Sequence, residues 1–496
     1  MTNIVSQVVY QPAQQHPERP AIVTRAGEVF SYAQLAQSVG QLAGHLRGRG
    51  VQPGEVVGIS MGGHPLHLLT LLALAQTGAV ALPLHPAVPE ERRRLAARRF
   101  GASRVVSESG DMALEGIGFL GLDRSEFRAD GPSDLQIHPA AAEDPMQLLI
   151  TSGTSGDPKA VIWTHGNVAA RNETTEPGDL SPKRVLQMDL NFFAGVGPAM
   201  RALAHADTLV FPASVAAEHV LIALLTQKVT HAYLSPHQAG MLAGLVGANV
   251  INACSDLVSL RIVGAYLTAP QRETLSRRLT PNVYVVYGAV EAGVVTIATP
   301  DMLARHPETV GATCAWAEVE LVDPAGAQVA AGTIGEVRIR SAQSVGGYYL
   351  DEARTRTRFR DGWFYPGDRA RFDAEGLLYI EGRVDDMMNV GGAMVDPEDI
   401  ERTLSSHPVV LDAGAFLSVA PDGQALLSVA LVLTDARRLE EIRAYAQSKL
   451  GPLAPARYVL AKLLPRTQTG KLQRHLLSSA FPVPRPDAPA RARTAH

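Results

Sequence analysis

The chain has 496 residues, several times the length of a typical single domain, so we expect more than one domain and room for a site between domains. Hydrophobic residues make up 46% and charged residues 19%, a balance that excludes a disordered or fibrous chain. Lys+Arg 45 against Asp+Glu 49 gives a net charge of -4, which excludes the basic surface of a nucleic-acid-binding protein and favours a small-molecule substrate.

The N-terminal segment lacks a charged region followed by an apolar one, which predicts no signal peptide and a cytoplasmic enzyme. The most apolar stretch, residues 66–84, is interrupted by polar residues, Gly78 and Pro83. It predicts a core helix that runs into a buried strand, and no membrane span. Cys254 and Cys314 are far apart and lack partners at metal-ligand spacing, so we expect neither a disulfide framework nor a zinc site.

Helix and strand patterns alternate along the first 380 residues. An amphipathic helix is predicted over 32–50 and a strand over 55–61. Five apolar runs that end near Gly, Pro or Ser predict buried strands: VLQMDL, TLVFPAS, HAYLSP, LRIVGAY and VYVVYG. This alternation favours layered α/β structure with parallel strands, whose carboxyl ends commonly bind ligands.

The pattern changes after about Glu320 to short β segments between Gly, Pro and Asp turns, which predicts a β-rich subdomain. From Val384 onward the sequence predicts a compact α+β unit. We therefore predict an α/β fold with a large N-terminal domain over 1–382, a hinge at 383–386, a small mobile α+β domain over 387–480 and a flexible Pro- and Arg-rich tail over 481–496.

The strongest local pattern is LLITSGTSGDPKAVIWTHGN, in which small and hydroxyl residues follow an apolar strand and end in Pro and Lys. Small residues let backbone N–H groups approach phosphate oxygens, hydroxyls add donors, and the lysine adds positive charge. The spacing does not fit the P-loop of kinases and ATPases. The pattern predicts a polyphosphate-binding loop formed by Thr151, Ser152, Gly153, Thr154, Ser155, Gly156 and Lys159.

This segment resembles the signature of the adenylate-forming, or AMP-binding, superfamily, which includes acyl-CoA synthetases, aryl acid ligases, adenylation domains of nonribosomal peptide synthetases and luciferases. Further segments resemble that family's motifs in the same order: VYVVYGAVEAG, GTIGEVRIRS, GWFYPGDRA, GRVDDMMNVGGAMVDPEDIE and LPRTQTGKLQR. The resemblance implies an ATP-dependent carboxylic acid:CoA ligase that forms an acyl-AMP. It also implies the use of ATP, Mg2+ and, as co-substrate, coenzyme A.

The resemblance assigns nucleotide-binding roles to four residues. Tyr287 corresponds to the aromatic ring against adenine, and Glu291 to the carboxylate that holds Mg2+ beside the triphosphate. Asp368 corresponds to the carboxylate that accepts hydrogen bonds from the ribose hydroxyls, and Arg383 to an arginine on the ribose or phosphate. From the residues alone, a solvated Glu291 and structural ion pairs for Asp368 and Arg383 remain alternatives.

The C-terminal motifs imply a moving catalytic group. Lys471 corresponds to the lysine that reaches the substrate carboxylate and the α-phosphate, where it neutralises accumulating negative charge. From the residue alone, a solvated charge near the C-terminus is an equal alternative for Lys471. Asp385 corresponds to the hinge residue about which the small domain rotates. Gly391 and Gly392 correspond to a loop that the rotation brings to the site, where it opens a path for a pantetheine thiol.

The identity of the acid is the least determined feature. The segment LNFFAGVGP lacks the Asp with which amino-acid-activating relatives hold the substrate ammonium, so an α-amino acid is disfavoured. Asn191 resembles the Asn of some hydroxybenzoate ligases, and the two neighbouring Phe residues either stack on a substrate ring or belong to the core. An aromatic acid is favoured, and a medium-chain aliphatic acid stays open. The predicted acyl pocket comprises Asn191, Phe192, Phe193, Gly264, Ala265 and Tyr266.

Three positions depart from the family pattern, and the first two lie in its motifs: Val290 replaces the usual Thr and Ala160 the usual Gly. Val290 cannot donate a hydrogen bond to the α-phosphate, so slower adenylation or a non-catalytic acyl-adenylate binder is an alternative. Tyr266 also departs, and we expect it to narrow the acyl pocket or to lie against adenine. A free-standing ligase that loads an acyl-carrier protein is a further alternative. A luciferase-like oxidase is a remote one, since fold alone does not assign chemistry.

Overall fold

The computed structural model describes residues 3–123, 133–151, 158–179, 182–247, 249–384, 386–390, 393–419, 425–467, 470 and 472–483. Helices and strands alternate in the first third of the chain: α1 (Gln11–Gln15), β1 (Pro20–Val23), β2 (Val29–Ser31), α2 (Tyr32–Gly48), β3 (Val56–Ile59), α3 (Pro65–Thr77), β4 (Val80–Pro83), α4 (Glu90–Arg99), β5 (Arg104–Ser107), β6 (Gly118–Gly121), β7 (Pro145–Thr151), β8 (Lys159–Thr164) and α5 (His165–Asn172).

The alternation continues through the middle of the chain with β9 (Arg184–Leu186), α6 (Phe193–Ala204), β10 (Thr208–Val210), α7 (Ala217–Thr226), β11 (His231–Leu234), α8 (Pro236–Leu245), β12 (Ser259–Val263), α9 (Ala269–Arg278), β13 (Val283–Ala289), β14 (Gly293–Ala298) and α10 (Pro300–Arg305). The five apolar runs predicted as strands each contribute to one strand, from β9 to β13.

A β-rich segment follows, with β15 (Gly311–Thr313), β16 (Ala317–Val322), β17 (Gly335–Ser341), α11 (Glu352–Arg358), β18 (Phe359–Arg360), β19 (Trp363–Phe364), β20 (Asp368–Phe372) and β21 (Leu377–Arg383).

The C-terminal unit contains β22 (Met388–Val390), β23 (Ala393–Val395), α12 (Pro397–Ser405), β24 (Val410–Val419), β25 (Ala425–Leu433), α13 (Leu439–Leu450), β26 (Arg457–Leu460) and α14 (Arg474–Ala480). In this unit β24, β25 and β26 form one sheet, and β22 pairs with β23. Its α+β composition agrees with the sequence. The limits of the two domains and of the hinge stay predictions, and Asp385 lies outside the described residues.

Two large sheets build the rest of the molecule. One has the order β6-β5-β3-β4-β7-β8 and is parallel except for β8. The other contains a parallel run from β1 through β10, β9, β11 and β12 to β13, and antiparallel strands continue it into the β-rich segment. Residues of both sheets pack with α2, α3 and α6 in one buried cluster. The predicted layered α/β fold is confirmed.

Local sequence explains how these elements begin and end. Ser31 and Gln34 form a capping box at the start of α2, where each side chain accepts a hydrogen bond from the other residue's backbone N–H. Helix α3 begins at Pro65 and is ended by Gly78, which adopts a left-handed conformation. Nearly all of α3 is buried, as the predicted core helix requires. Among the described residues, no helix combines the length and apolar character needed to cross a bilayer.

Candidate active site

The predicted phosphate loop begins and ends at two paired strand positions. Thr151 ends β7 and Lys159 begins β8, and the two are register partners in an antiparallel pair. The pairing fixes both ends of the loop at the edge where the parallel strands of this sheet have their carboxyl ends. The residues between them that are predicted to cradle phosphate lie outside the described part of the chain: Ser152, Gly153, Thr154, Ser155 and Gly156.

Lys159 lies beside Glu291, although the two are far apart in the sequence. The Lys159 Nζ is 3.4 Å from Glu291 Oε1 and 3.4 Å from the Tyr348 hydroxyl oxygen. Tyr348 donates a hydrogen bond of 2.8 Å to the same Glu291 oxygen. The Glu291 side chain is 9% exposed and the Lys159 side chain 20%. A cation and a carboxylate, both predicted to serve the triphosphate, are thus held together at the end of the loop.

Burial and charge set the protonation of this group. Burial lowers the pKa of Lys159, and the adjacent Glu291 carboxylate is the largest opposing influence. Burial and the same carboxylate raise the pKa of Tyr348 well above its usual range. Tyr348 therefore remains a hydrogen-bond donor to Glu291 at neutral pH, and this bond holds the carboxylate in one orientation.

The predicted nucleoside residues also meet in space. Arg383 Nη1 donates to Asp368 Oδ1 at 2.6 Å, and the Tyr287 hydroxyl donates to Asp368 Oδ2 at 2.7 Å. Asp368 and Arg383 are register partners on β20 and β21. Burial and the Asp368 carboxylate raise the pKa of Tyr287 well above its usual value. Tyr287 and Glu291 are close along the chain, so the nucleoside unit adjoins the phosphate end.

Gly470, which directly precedes the predicted catalytic lysine, lies against the start of α8. Lys471 itself lies outside the described residues, but Gly470 precedes it directly. A Cβ placed on Gly470 would lie 3.0 Å from the Cβ of His237 and 3.2 Å from the Oγ of Ser235, at the start of α8. The Arg466 side chain donates a hydrogen bond of 2.7 Å to the Gly470 carbonyl oxygen and so holds this residue in position. The C-terminal unit therefore contacts the start of α8, the helix between β11 and β12.

A second contact joins the C-terminal unit to the turn after β12. The guanidinium of Arg402 on α12 lies 5.0 Å from the ring centroid of Tyr266. Tyr266 therefore contacts the C-terminal unit in this arrangement. The predicted hinge residue Asp385 and the two thiol-path residues, Gly391 and Gly392, lie outside the described residues.

The first predicted acyl-pocket residue, Asn191, is bonded within the fold. Its side-chain nitrogen donates to the Met61 carbonyl at 3.0 Å and to Asp189 Oδ1 at 2.8 Å. These bonds fix the turn before α6. The carbonyl oxygen of the Asn191 side chain is buried and has no hydrogen-bond partner among the described residues.

The two Phe residues of the predicted pocket face different neighbours. The ring of Phe193 packs edge-on against the buried Trp163, with 5.5 Å between ring centroids. The ring of Phe192 lies 5.7 Å from the His85 ring. Aromatic surface is thus present on both sides of the start of α6.

The remaining predicted pocket residues form the turn after β12. Gly264 and Ala265 precede Tyr266, and Gly264 has a φ of 87°. A positive φ of this size favours glycine, because a Cβ would clash with the backbone. The turn lies at the carboxyl end of a strand in the parallel run, where α/β sheets commonly bind ligands.

Two of the departures from the family pattern, Ala160 and Val290, pack in or against the core. Ala160 is fully buried, and its carbonyl accepts a hydrogen bond of 2.7 Å from the backbone N–H of Tyr349. Val290 is partly buried and packs against the main core cluster. Each side chain therefore contributes apolar packing beside the phosphate end.

Tyr348 lies in the candidate site, and the sequence did not predict it there. It follows two glycines after β17, and a backbone bridge pairs it with Val161 on β8. The Gly-Gly-Tyr pattern after a strand was the available signal, because paired glycines permit a close backbone approach. Its bond to Glu291 makes it a positioning residue for that carboxylate.

The chain matches a protein-family model described as AMP-binding enzyme over residues 9–349. Feruloyl-CoA synthase from Amycolatopsis sp is 30% identical over 469 residues, which cover 91% of this chain and 94% of that protein. The 3-hydroxybenzoate–CoA ligase of Aromatoleum sp. (strain CIB) is 28% identical over 514 residues, with 96% of each chain covered.

A solved structure shows the same fold. The o-succinylbenzoate CoA synthetase (MenE) from Bacillus subtilis, in complex with the acyl-adenylate intermediate OSB-AMP, has a TM-score of 0.85 at 21% identity, covering 96% of this chain and 98% of that chain. The family that the motifs indicated and the predicted enzyme class of acid–thiol ligases are confirmed, because the relatives are named CoA ligases and synthetases. The family match extends over more than half of the residues, and this chain belongs to the AMP-binding enzyme family.

Proposed function

We propose that this enzyme is an ATP-dependent acid:CoA ligase that activates aryl acids as acyl-AMP and then transfers the acyl group to coenzyme A. The observation that carries the proposal is the meeting of predicted groups from distant parts of the chain. Lys159 and Glu291 adjoin the phosphate loop, and Tyr287 and Asp368 form the nucleoside end. Gly470 brings the loop of the catalytic lysine to α8.

The residues at the phosphate end fit magnesium ATP. Mg2+ prefers hard oxygen ligands and is commonly held by one or two carboxylates together with substrate phosphates. The Glu291 carboxylate supplies such oxygens, and Lys159 adds a cation for the phosphates. When bound, Mg2+ would neutralise charge on the polyphosphate and its pyrophosphate leaving group.

In the first step, a carboxylate oxygen of the acid attacks the α-phosphorus of ATP. A new oxygen–phosphorus bond forms while the bond to pyrophosphate breaks. Both reactants are anions, so negative charge accumulates, and we assign Lys159 and Lys471 to neutralise it. Asp368 and Arg383 hold the ribose, so that the α-phosphorus is presented to the acid in one orientation.

In the second step, the thiol sulfur of coenzyme A attacks the acyl carbon and AMP leaves. The small domain rotates about Asp385 between the two steps. This rotation withdraws Lys471 and brings Gly391 and Gly392 to the site. The contact between Arg402 and Tyr266 belongs to the arrangement that we assign to the first step.

An aryl acid suits the region between the sheet and α6. Phe192 and Phe193 supply aromatic side chains there, and the buried Trp163 packs against Phe193. The relatives that match along most of the chain include enzymes named for ferulate and for 3-hydroxybenzoate, which are aromatic acids.

The test is pyrophosphate release from ATP and Mg2+ with a panel of benzoates, cinnamates and C4 to C12 fatty acids, each with and without coenzyme A. Lys471→Ala serves as the variant that should stop the first step. We expect turnover that requires an aryl acid and coenzyme A and that collapses in the variant. Slow release that ignores coenzyme A indicates a carrier-protein acceptor. No release with any acid contradicts the proposal and favours a non-catalytic binder.

A further inference from the structure

One face of the large sheet carries a buried group of charges that the nucleotide chemistry does not use. Arg261 on β12 is fully buried, with the rings of Tyr233 and Tyr284 at 5.6 Å and 5.5 Å from its guanidinium. The three residues are register partners on β11, β12 and β13, so their side chains lie on one face. The Arg261 guanidinium pairs with Glu176, which is also buried.

Arg171 on α5 adjoins this group, and the described part of the chain gives it no close counter-ion. It is 2% exposed, and among the described residues no carboxylate oxygen lies within 4.0 Å of its guanidinium. Its Nη1 donates to Gln343 Oε1 at 3.3 Å, while its Nε has no hydrogen-bond partner in the part of the chain that the structure describes. Burial lowers the pKa of Arg171, and Glu176 is the largest opposing influence. A buried charge with so few bonds is costly unless a ligand supplies more.

Two neighbours of Arg171 also have unused bonding capacity. Glu176 binds Arg261 through Oε2, but its Oε1 has no partner among the described residues. Gln343 accepts from Arg171 through Oε1, and its Nε2 is likewise without a partner there. Buried polar atoms are nearly always bonded, so three such atoms in one region indicate a group that completes them. We call Arg171, Glu176 and Gln343 the polar floor.

The polar floor adjoins the predicted acyl pocket. The Arg171 guanidinium lies 5.2 Å from the ring centroid of Phe193, at the start of α6. Gly197, one turn further along α6, leaves room for it, because a Cβ there would lie 3.2 Å from the Arg171 Nε. Gln343 also accepts a hydrogen bond from the backbone N–H of Val294, three positions after Glu291. The polar floor therefore contacts Phe193 and lies close along the chain to the phosphate end.

We infer that the polar floor binds a hydroxyl group on the acid, at the end remote from its carboxylate, and that the substrates are hydroxylated aryl acids. Two donors, Arg171 Nε and Gln343 Nε2, and one acceptor, Glu176 Oε1, match a hydroxyl that accepts and donates at once. A second carboxylate cannot donate to Glu176, and the two anions would repel. This inference rests on the proposed function and narrows its substrate class.

The test compares matched acids by kcat/KM for pyrophosphate release: cinnamate with 4-hydroxycinnamate, benzoate with 3-hydroxybenzoate, and 4-carboxycinnamate as the dicarboxylate. We expect the native enzyme to prefer at least one hydroxylated acid over its parent by about 10- to 100-fold, because the parent leaves buried donors and an acceptor unpaired. Arg171→Met should bring this ratio close to one.

Gly197→Ala is a second variant that keeps every charge. Alanine favours the helix, but its Cβ would lie 3.2 Å from the Arg171 Nε and shift that atom by a few tenths of an ångström. We therefore expect the preference for the hydroxylated acid to fall several-fold. Arg356→Met, at a residue whose side chain is 72% exposed on α11, is the matched control and should retain the native ratio.

Each outcome bears on one of the two proposals. Equal use of parent and hydroxylated acids, or preference for the dicarboxylate, overturns this inference while leaving the ligase proposal intact. A native ratio in either Gly197→Ala or soluble Arg171→Met also overturns it. If Arg171→Met does not fold, the native enzyme and Gly197→Ala decide the matter. Absence of release with any acid overturns the proposed function and this inference with it.

Discussion

The two ends of the proposed site differ in how their buried polar groups are satisfied. At the nucleotide end both carboxylate oxygens of Asp368 accept hydrogen bonds from side chains of the protein, and Glu291 accepts one from Tyr348. At the acid end Arg171 and Glu176 keep atoms that no described residue bonds. Side chains that are already hydrogen-bonded within the protein keep their orientation without a ligand. Side chains with unused hydrogen-bonding atoms favour the ligand that supplies the missing hydrogen bonds. The nucleotide end thus suits a constant substrate, and the acid end suits selection.

The largest effect should come from removing the charge at the phosphate end. In Glu291→Gln the hard anionic ligand for Mg2+ is lost, and we expect pyrophosphate release to fall about 10²- to 10³-fold. Pre-steady-state release under saturating ATP measures it. Glu352→Gln, whose side chain is 91% exposed, should retain native activity. Equal activity of Glu291→Gln and Glu352→Gln would show that the phosphate end is assigned to the wrong carboxylate.

The next effect concerns the nucleoside end. Asp368→Asn removes the charge that Arg383 and Tyr287 bind, so we expect kcat/KM for ATP to fall about 10- to 100-fold, mainly through KM. Steady-state kinetics at fixed acid measure the change. Glu320→Gln breaks a comparable ion pair with Arg338 in the β-rich segment and should change KM by less than about twofold. An unchanged KM for ATP in Asp368→Asn would contradict the proposal that Asp368 binds the ribose.

The contact between the two domains should depend on pH through the protonation of Glu398. Burial raises the pKa of Glu398 on α12 to about 7. The carboxylates of Glu401, Asp396 and Asp368 also raise this pKa, and Arg474 lowers it. Among these carboxylates Asp368 belongs to the large domain, so we expect the pKa of Glu398 to be higher when the domains are in contact, and Glu398 then takes up a proton on closing. The contact is therefore strongest below about pH 4.5, weakens as the pH rises to about 7 and levels off above that value.

The measurement is the adenylation rate of Glu398→Gln divided by that of the native enzyme at each pH. Titrating groups that affect both proteins equally cancel in this ratio. We expect it to increase roughly threefold to tenfold between pH 5 and pH 7 and then to level off. A ratio that stays constant from pH 5 to pH 8 would show that Glu398 does not report on domain closure.

The smallest effect belongs to the contact between Tyr266 and Arg402. Its loss in Tyr266→Leu should slow adenylation about twofold to threefold, because a single cation–π contact at a surface is weak. Thioester formation from preformed acyl-adenylate should be unchanged, since the small domain has then rotated away. Tyr458→Leu removes a similar contact with Arg443 inside the small domain and should alter neither step. Equal slowing of both steps by Tyr266→Leu would contradict the assignment.

The elements were predictable because their signals are local. The periodicity of residues 32–50 predicted α2, and the apolar run before Gly78 predicted the buried helix α3. Lys159, Glu291 and Asp368 could be proposed as site residues without the fold, because the order of their motifs along the chain carries the resemblance.

The side-chain contacts of the candidate site were not predictable, because they join residues that are distant along the chain. Tyr348 reaches Glu291 from 57 positions away. Arg171 meets Gln343 from 172 positions away, and its place on α5 indicated nothing more than a polar helix residue. Tyr266 was expected near the acyl group or adenine, and the structure shows it against Arg402, because the position of α12 depends on how the domains pack.

Formation of an acyl-AMP before any thiol takes part is the central feature of the proposed chemistry. The most direct test is acid-dependent exchange of labelled pyrophosphate into ATP in the absence of coenzyme A. We predict exchange that requires Mg2+ and an aryl acid and that is lost in Lys471→Ala. No exchange with any acid, from folded protein that still binds ATP, would contradict this chemistry.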